Sequence, residues 1–376
     1  MTRKRIGILT SGGDAPGMNA AVRAVFRGVK AHSPDHEIML FREGLNGLAG
    51  RLDVNYLAVI ERTSLRDIIH RGGTFIGTGR IPELKPPPPG CLDVPAWERK
   101  RKEITDVAVI NIRQFALSGL VVVGGDGSFK GLLNITQAYQ ERFGEPVGLV
   151  GLPGTIDNDI WGTEVCIGYD TALNNTVDCL RKLRDTIDSH RRCAILEVMG
   201  NTSGWIALSA ALAGGATTVM LPEVPESYQM DRVLARVRAA MRLNYRSIIV
   251  VMAEGVRRAS GNDRLGEDLR AAIEDDPVVR EMLGRPLETR LNIVGYLARG
   301  GQPSAFDNLL ACRLGDAAAA RVLSDDRTPV MVGLQNNRVV TQHLEQVVAH
   351  SPRLIQPDEE LLRVADHLLI NEHQKF

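Results

Sequence analysis

Short apolar runs alternate along the chain with glycine-rich turns and amphipathic segments. The apolar run at 5–10 predicts a strand, and residues 17–30 repeat apolar positions at the spacing of one helix face. The same rhythm predicts further strands at 120–123, 147–152, 193–198, 217–221, 247–252 and 329–334. It predicts further helices at 169–184, 203–213, 230–243 and 305–314. Continuous apolar strands alternating with helices indicate parallel sheets covered on both faces, so the expected fold class is α/β.

Two polar stretches interrupt this rhythm. Residues 81–103 contain several prolines followed by a basic run, and residues 257–268 are polar and contain glycine. Both are expected to be surface loops, the first leading into a helix. The chain shows no internal repeat with the period of a solenoid, so any domain boundary must fall among the alternating strands and helices.

Composition narrows the class of protein. The chain has 376 residues, of which 44% are hydrophobic and 24% charged, and this excludes a disordered chain, a fibre or a small disulfide scaffold. Lys plus Arg (45) equals Asp plus Glu (45), which gives no support for a nucleic-acid or membrane partner. The five cysteines show no metal-binding spacing, and no apolar run is long enough for a signal peptide or a membrane span. A cytoplasmic protein is expected.

Three glycine-rich turns follow predicted strands. They are TSGGDAPGMN at 10–19, GGDGS at 124–128 and PGTIDND at 153–159. Glycine permits close backbone approach, and a helix N-terminus presents free N–H groups to an anion. The first two turns match neither the P-loop nor the dinucleotide pattern, and one such turn alone is more often only a tight connection. Two in one chain, both at strand C-termini, favour a ligand site.

The third turn concentrates acidic side chains. If the segment is extended, Thr155, Asp157 and Asp159 project to one side, and Asp126 in the preceding turn adds a carboxylate. Gathered carboxylates repel one another unless a cation lies among them. The pattern therefore favours a magnesium site or a general base. The alternative, a cap for the helix at Tyr169, is awkward because of the distance along the chain.

An anionic substrate also needs cations. Arg80, Arg192, Arg290 and Arg299 lie near glycine-rich turns or strand ends. A single arginine is more often solvated or ion-paired. As a set beside the carboxylates, these four suit phosphate chemistry.

Six motifs occur in order between about residues 6 and 314: TSGGDAPGMNAAVR, GGTFIGTGR, VVVGGDGS, GLPGTIDND, EVMG and ETRLNIVGYLARGGQPSAFD. In these motifs the chain resembles the ATP-dependent phosphofructokinase family. The resemblance implies two Rossmann-like three-layer domains with mostly parallel sheets and an active site in the cleft between them. It implies a nucleotide-binding domain at 1–168 plus about 298–348, and a sugar-phosphate-binding domain at about 169–297 plus 349–376. It also implies a homo-oligomer, dimer or tetramer, with sites shared across subunits.

The resemblance further implies a reaction and roles for individual residues. ATP would phosphorylate fructose 6-phosphate in glycolysis, with Asp157 taking the proton from the sugar hydroxyl. Thr155 and Asp159 would flank Asp157, Arg80 would reach the transferring phosphoryl group, and Asp126 would hold Mg²⁺. The implied nucleotide-binding residues are Gly13, Arg80, Gly125, Asp126, Gly127, Ser128 and Gly131. The implied substrate-binding residues are Thr155, Asp157, Asp159, Arg192, Met199, Gly200, Asn201, Glu254, Arg290, Tyr296 and Arg299.

Two glycines bear on the phosphoryl donor. Family members that use pyrophosphate carry an aspartate after GGD and a lysine before TIDND, where this chain has Gly127 and Gly154. An aspartate at the first position would repel a nucleotide phosphate, whereas glycine leaves room for it. ATP is therefore the expected donor.

Two departures from the family pattern leave alternatives open. Asn201 stands where the family carries an arginine, and Tyr296 stands where it carries a histidine. The acceptor could therefore be a different sugar or sugar phosphate, or the chain could be a ligand-sensing relative without turnover. A nucleotide phosphorylator resembling NAD kinase shares the GGDG turn but leaves the ETR and ARGG segments unexplained.

Overall fold

A computed structural model describes residues 5–50, 57–59, 65–88 and 90–370. The chain divides into two compact units. The first comprises Met1–Thr155, Ile160–Asp170 and Arg299–Pro352, and the second comprises Ile156–Asp159, Thr171–Ala298 and Arg353–Phe376. The sequence placed residues 1–168 in one unbroken domain, whereas Ile156–Asp159 groups with the second unit.

The two units contain strands and helices in alternation. The strands in chain order are β1 (Arg5–Ser11), β2 (Glu37–Phe41), β3 (Leu57–Val59), β4 (Leu117–Gly124), β5 (Gly148–Pro153), β6 (Cys193–Val198), β7 (Thr218–Met220), β8 (Ile248–Ala253), β9 (Thr289–Ile293), β10 (Val330–Gln335) and β11 (Arg338–His343). The helices are α1 (Met18–His32), α2 (Leu45–Leu48), α3 (Val94–Gln114), α4 (Asp126–Phe143), α5 (Tyr169–His190), α6 (Trp205–Gly214), α7 (Met230–Arg242), α8 (Gly255–Ser260), α9 (Leu265–Asp275), α10 (Pro277–Leu283), α11 (Ala305–Leu323), α12 (Leu344–His350) and α13 (Glu360–Leu368). Short 3-10 helices form at Pro82–Leu84, Pro225–Tyr228 and Gly295–Arg299.

Each unit is built on one sheet. In the first unit the strand order is β11-β10-β5-β4-β1-β2-β3, and in the second it is β7-β8-β6-β9. All neighbours are parallel except the edge pairs β10–β11 and β2–β3. Every residue of β5, β6 and β8 is buried, as strands covered by helices on both faces require. The predicted α/β class with two Rossmann-like units is confirmed.

One sequence expectation is wrong. Residues 257–268 lie largely in α8 and the start of α9 instead of forming a surface loop. In α9, Leu265, Leu269 and Ile273 are buried at intervals of four residues, so a narrow apolar stripe holds an otherwise polar helix against the unit. In 81–103 the helix α3 begins at Val94, where the Asp93 side chain accepts the N–H of Ala96 as an N-cap.

Helices α1 and α11 of the first unit pack closely against each other. A Cβ added to Gly28 of α1 would lie 2.6 Å from the Cβ of Ala319, and one added to Gly315 of α11 would lie 2.6 Å from the Cβ of Ala24. The backbones of the two helices therefore lie so close together that a side chain at Gly28 or Gly315 would force the helices to move apart. None of the helices in the described ranges combines the length and the apolarity that crossing a bilayer requires.

Candidate active site

The three glycine-rich turns meet at one edge of the first sheet. In the strand register, Ser11 at the end of β1 lies opposite Gly124 at the end of β4, and Gly124 lies opposite Pro153 at the end of β5. The N–H of Gly154 also donates to the carbonyl of Gly124 at 3.0 Å. Because β2 lies on one side of β1 and β4 on the other, this edge is a topological switch point, where open α/β sheets bind ligands.

Two arginines flank the first turn. A Cβ added to Gly13 would lie 2.8 Å from Nη1 of Arg299 and 3.4 Å from Nη2 of Arg80. Arg299 is mostly buried, with 17% of its side chain exposed, and Nη1 lies 3.6 Å from Oδ1 of Asp14. Two guanidinium groups around a backbone without a side chain form a concave cationic surface suited to phosphate.

Hydrogen bonds to β1 place Arg80 beside this turn. Thr10 Oγ1 donates to the carbonyl of Gly77 at 2.8 Å, and Ser11 Oγ donates to the carbonyl of Gly79 at 3.2 Å. In return, Thr78 Oγ1 donates to the carbonyl of Gly12 at 3.1 Å. The segment before Arg80 is thereby fastened to the end of the strand, which limits where its guanidinium can reach.

The second turn opens α4 at Asp126. This carboxylate is half-buried in the first helical turn, and Ser128 behind it is 6% exposed. A Cβ added to Gly12 would lie 3.3 Å from Oγ of Ser128, so the first and second turns are in contact. Gly125 has open space around it, whereas a Cβ on Gly131 would touch Leu84 and Leu45. Gly131 is thus buried against apolar side chains.

Lys85 is a cation that the sequence reasoning missed. A Cβ added to Gly127 would lie 2.8 Å from Cε and 3.0 Å from Nζ of Lys85, so the ammonium group lies directly over the second turn. Lys85 lies in a proline-rich stretch without hydrophobic periodicity, so no sequence pattern linked it to the site. Because Gly127 has no side chain, the ammonium group of Lys85 can lie this close to the turn.

The third turn departs from the expected extended form. Ile156 and Asp157 lie in a turn, and Asn158 has a left-handed backbone with φ 52°. The alternation in burial nevertheless holds, because Thr155, Asp157 and Asp159 are half-buried whereas Ile156, Asn158 and Ile160 are buried. Ser203 Oγ donates to the carbonyl of Asp157 at 3.1 Å within the second unit.

In the second unit, Glu254 supports the loop that carries Asn201. Glu254 follows β8 and the loop follows the neighbouring strand β6, in which Val198 lies opposite Ala253. Glu254 Oε1 accepts the backbone N–H of Gly200 at 3.3 Å and that of Asn201 at 2.9 Å.

Two further charged groups lie around this loop. Arg258 Nη2 donates to Oδ1 of Asn201 at 3.2 Å, which brings an exposed cation to the position where the family arginine is lacking. Glu197, in β6, pairs with Arg257. Burial raises the pKa of Glu197 above its ordinary value, although its hydrogen bond to Arg257 acts in the opposite direction.

Arg192 and Arg290 converge on one carboxylate. Nε of Arg192 lies 2.7 Å from Oε2 of Glu288, and Nη2 of Arg290 pairs with Oε1. Burial alone would raise the pKa of Glu288, but the two guanidinium groups outweigh it and hold the pKa below its ordinary value. The sequence pattern grouped these arginines as phosphate ligands, but Glu288, which pairs with both, was missed. Tyr296, the other expected residue here, is 80% exposed.

The donors present suit magnesium held mainly by a substrate. No group of three or more His, Cys, Asp or Glu side chains poised for a metal occurs among the residues that the structure describes, so the expected gathering of carboxylates is absent there. Mg²⁺ commonly binds through one or two carboxylates plus the phosphates of a nucleotide. The half-buried carboxylate of Asp126, at the glycine-rich turn beside Lys85, fits that mode.

Comparisons with known proteins identify the family of this chain. A family model described as Phosphofructokinase matches residues 5–322. A protein of Bacillus pumilus named ATP-dependent 6-phosphofructokinase is 40% identical over 368 residues, 98% of this chain and 100% of that protein. A protein of Bacillus subtilis with the same name is 41% identical over 346 residues, 92% of this chain and 94% of that protein.

Solved structures show the same fold. Pichia pastoris phosphofructokinase in the T-state matches with a TM-score of 0.77 and 32% identity over 93% of this chain. The match covers 36% of that chain, so this chain spans about a third of its length. A pyrophosphate-dependent phosphofructokinase of Nitrosospira multiformis matches with a TM-score of 0.76 over 100% of this chain and 94% of that one, at 19% identity, which indicates a shared fold alone.

Proposed function

Because this chain belongs to the phosphofructokinase family, we propose that it transfers the γ-phosphate of ATP to fructose 6-phosphate. The hydroxyl oxygen at C1 of the sugar attacks the γ-phosphorus, and the bond from that phosphorus to the bridging oxygen of ADP breaks. The products are fructose 1,6-bisphosphate and ADP. The observation that carries the proposal is the cationic surface of Arg80 and Arg299 around Gly13, at the edge where β1, β4 and β5 end.

The first unit would bind the nucleotide. Backbone N–H groups of the turns at Gly13 and Gly125 and the hydroxyl of Ser128 suit phosphate oxygens, as helix N-termini after glycine-rich turns commonly do. Arg80 would contact the transferring phosphoryl group. Arg299, which the family resemblance assigns to the sugar phosphate, lies beside Gly13 and would help to neutralise the negative charge of the transferring group. Phosphoryl transfer depends mainly on such positioning and charge neutralisation.

ATP is favoured over pyrophosphate as the donor. A side chain at Gly154 would lie 2.7 Å from Cγ1 of Val123 and 3.2 Å from Cε of Met18, so the position excludes the lysine of pyrophosphate-dependent relatives unless the core shifts. At Gly127 the ammonium of Lys85 adds a cation suited to a nucleotide phosphate. Asp126 would hold Mg²⁺, which neutralises phosphate charge when it is bound.

Asp157 would act as the general base. Its carboxylate is half-buried, and its backbone carbonyl is held by Ser203, so the side chain starts from a fixed position. The proton of the sugar hydroxyl would pass to this carboxylate as the new oxygen–phosphorus bond forms. Thr155 and Asp159 would contact the acceptor beside it.

The second unit would bind the sugar phosphate. Glu254 and the backbone of Met199, Gly200 and Asn201 would contact the sugar, with Arg258 supplying the nearby positive charge. Arg192 and Arg290 form a cationic pair at Glu288 that suits the 6-phosphate, with Tyr296 donating a further hydrogen bond.

An alternative acceptor substrate is suggested by Asn201, which stands where the family carries an arginine. Because the loop itself carries no cation, a sugar whose charge lies elsewhere remains the alternative substrate. The contact from Arg258 favours fructose 6-phosphate, since it returns positive charge to the loop.

A homo-oligomer is part of the proposal. Ile293 is 58% exposed and Leu297 is 72% exposed, and both lie beside Tyr296 at the end of β9. Adjacent exposed apolar side chains of this kind are typical of subunit interfaces. Light scattering on the purified chain measures the oligomeric state directly, and a monomer at enzymatic concentrations would contradict this part of the proposal.

The test is a steady-state panel of donors and acceptors. ATP and pyrophosphate are each combined with fructose 6-phosphate, other sugar phosphates and unphosphorylated sugars, and product is identified by phosphorus NMR. The highest kcat/KM is expected for ATP with fructose 6-phosphate. A higher value for another acceptor would reassign the substrate, and no turnover with any acceptor would support the ligand-sensing alternative.

A further inference from the structure

Arg353 lies at the start of the last segment of the second unit, beyond residue 322, where the match to the family model ends. We propose that Arg353 is a positioning residue that fixes the backbone of the turn carrying Asp157. This inference rests on the proposed function, because Asp157 is the proposed base.

Three successive carbonyls of the turn are each held from within the second unit. Ser203 Oγ donates to the carbonyl of Asp157 at 3.1 Å. Nη2 of Arg353 donates to the carbonyl of Asn158 at 3.3 Å, and the backbone N–H of Arg353 donates to that of Asp159. Arg353 thus supplies two of the three contacts, one from its side chain and one from its backbone.

Arg353 is itself held by a rigid neighbour. Its guanidinium lies over the ring of Trp205, with Cζ 4.4 Å from the ring centroid, and its carbonyl accepts the indole N–H of Trp205 at 2.9 Å. Trp205 begins α6 and is 4% exposed. A cation over an indole ring is attracted by the electron-rich face, so the side chain keeps one direction.

The chain following Arg353 is fastened at the same place. Glu223 Oε1 accepts the N–H of Gly204 at 2.9 Å and that of Ile355 at 3.3 Å. Trp205, at the N-terminus of α6, therefore holds Arg353, and Glu223, which also binds Gly204 just before that helix, holds Ile355. The segment cannot slide along the helix without breaking these bonds.

The turn contains one residue in an uncommon backbone conformation. Asn158 is left-handed at φ 52°, a conformation that asparagine tolerates better than most residues and that surrounding contacts help to hold. Loss of the side-chain contact from Arg353 is expected to loosen the carbonyl of Asn158 and let the carboxylate of Asp157 move. A displacement of about 1 Å in a reacting group lowers rates by as much as about 100-fold.

The experiment compares substitutions at the clamp with a matched substitution on the same segment. The variants are Arg353→Met, Arg353→Lys, Trp205→Phe and, as the control, Arg363→Met on the exposed side of α13. For each, kcat, the KM for each substrate, the melting temperature and hydrogen exchange of peptides spanning 157–160 are measured.

Arg353→Met is expected to lower kcat by about 10- to 100-fold with the KM for ATP unchanged, and to speed exchange in 157–160. Arg353→Lys is expected to be intermediate: both variants keep the backbone contacts of residue 353, but lysine also keeps a cation over Trp205 and a donor near the carbonyl of Asn158. Trp205→Phe keeps an aromatic ring under the guanidinium but loses the indole N–H that donates to the carbonyl of Arg353. It should therefore speed exchange less than Arg353→Met. Arg363→Met should match the wild type.

Wild-type kcat and wild-type exchange in Arg353→Met would overturn the inference. If Arg353→Met does not fold, wild-type kcat and wild-type exchange in both Arg353→Lys and Trp205→Phe would overturn the inference. A wild-type chain that does not phosphorylate fructose 6-phosphate would refute the proposed function, whereas the exchange measurement would still decide whether Arg353 holds the turn.

Discussion

Replacing Gly13 with alanine perturbs the proposed phosphate site with a single methyl group. The new Cβ would lie 2.8 Å from Nη1 of Arg299 and 3.4 Å from Nη2 of Arg80, so at least the first guanidinium must move. Both contacts are with the ends of flexible side chains, which can rotate away. The backbone of Gly13 has no positive φ, so alanine fits it without strain.

Gly13→Ala is expected to lower kcat/KM for ATP without destabilising the fold. A charge-assisted hydrogen bond contributes about 1.5–3 kcal/mol, so displacing one guanidinium from the phosphates should lower kcat/KM for ATP by about 10- to 150-fold. The loss of glycine freedom in the unfolded chain favours the folded state by about 0.4–1 kcal/mol. The melting temperature should therefore not fall.

Gly148→Ala is the matched control. At the start of β5, its Cβ would lie 3.3 Å from Nη1 of Arg327, so it also presses a methyl group against an arginine, but away from the three turns. Wild-type kcat/KM is expected for this variant. Gly13→Ala with wild-type kcat/KM for ATP would refute the assignment of Gly13, Arg80 and Arg299 to the phosphates.

Two further substitutions test the donor site and the acid stability of the fold. Gly127→Asp adds a carboxylate beside Lys85, and repulsion of a phosphate about 5 Å away at an effective dielectric of about 20 costs about 3 kcal/mol. The KM for ATP should therefore rise by about 150-fold, and an unchanged KM would contradict the site. Burial alone would raise the pKa of Asp276, but hydrogen bonds from Arg238 and from the N–H of Val279 outweigh it and hold the pKa below its ordinary value. Its stabilisation is therefore complete above the ordinary pKa and is lost as pH falls through the lowered one. Asp276→Asn should lower the free energy of unfolding at pH 7 by about 1.5–3 kcal/mol in urea titrations, with less further loss below about pH 4 than the wild type shows; equal losses in acid would contradict this.

The sequence predicted β1, β4, β5, β6, β7, β8 and β10 because these strands are apolar runs, but it missed β2, although residues 38–41 are an apolar run that is also buried. Cys193–Val198 is both predicted and observed, since all its residues are buried. β9 escaped prediction because Thr289 is its only buried residue and the rest of the strand is polar or partly exposed. The apolar stripe of α9 was not predicted because its first buried position, Leu265, lies in the polar stretch 257–268, and the other two, Leu269 and Ile273, lie beyond that stretch.

The site was predictable where backbone geometry decides it. Glycine turns after strands must meet at one sheet edge, and the turns at Gly13, Gly125 and Gly154 do. Contacts between side chains distant in sequence carry no local pattern: Lys85 over Gly127 and Arg353 at Asn158 follow from tertiary packing. No periodicity or spacing distinguishes such arginines and lysines from solvated ones.

Asp157→Asn tests the central claim most directly. The amide keeps the size of the side chain and leaves the bond from Ser203 to the backbone carbonyl intact, but it cannot take the proton of the sugar hydroxyl. Measured with ATP and fructose 6-phosphate, kcat should fall by about 10²- to 10⁴-fold, while calorimetry shows ATP bound as tightly as by the wild type. A kcat close to the wild-type value would contradict the account.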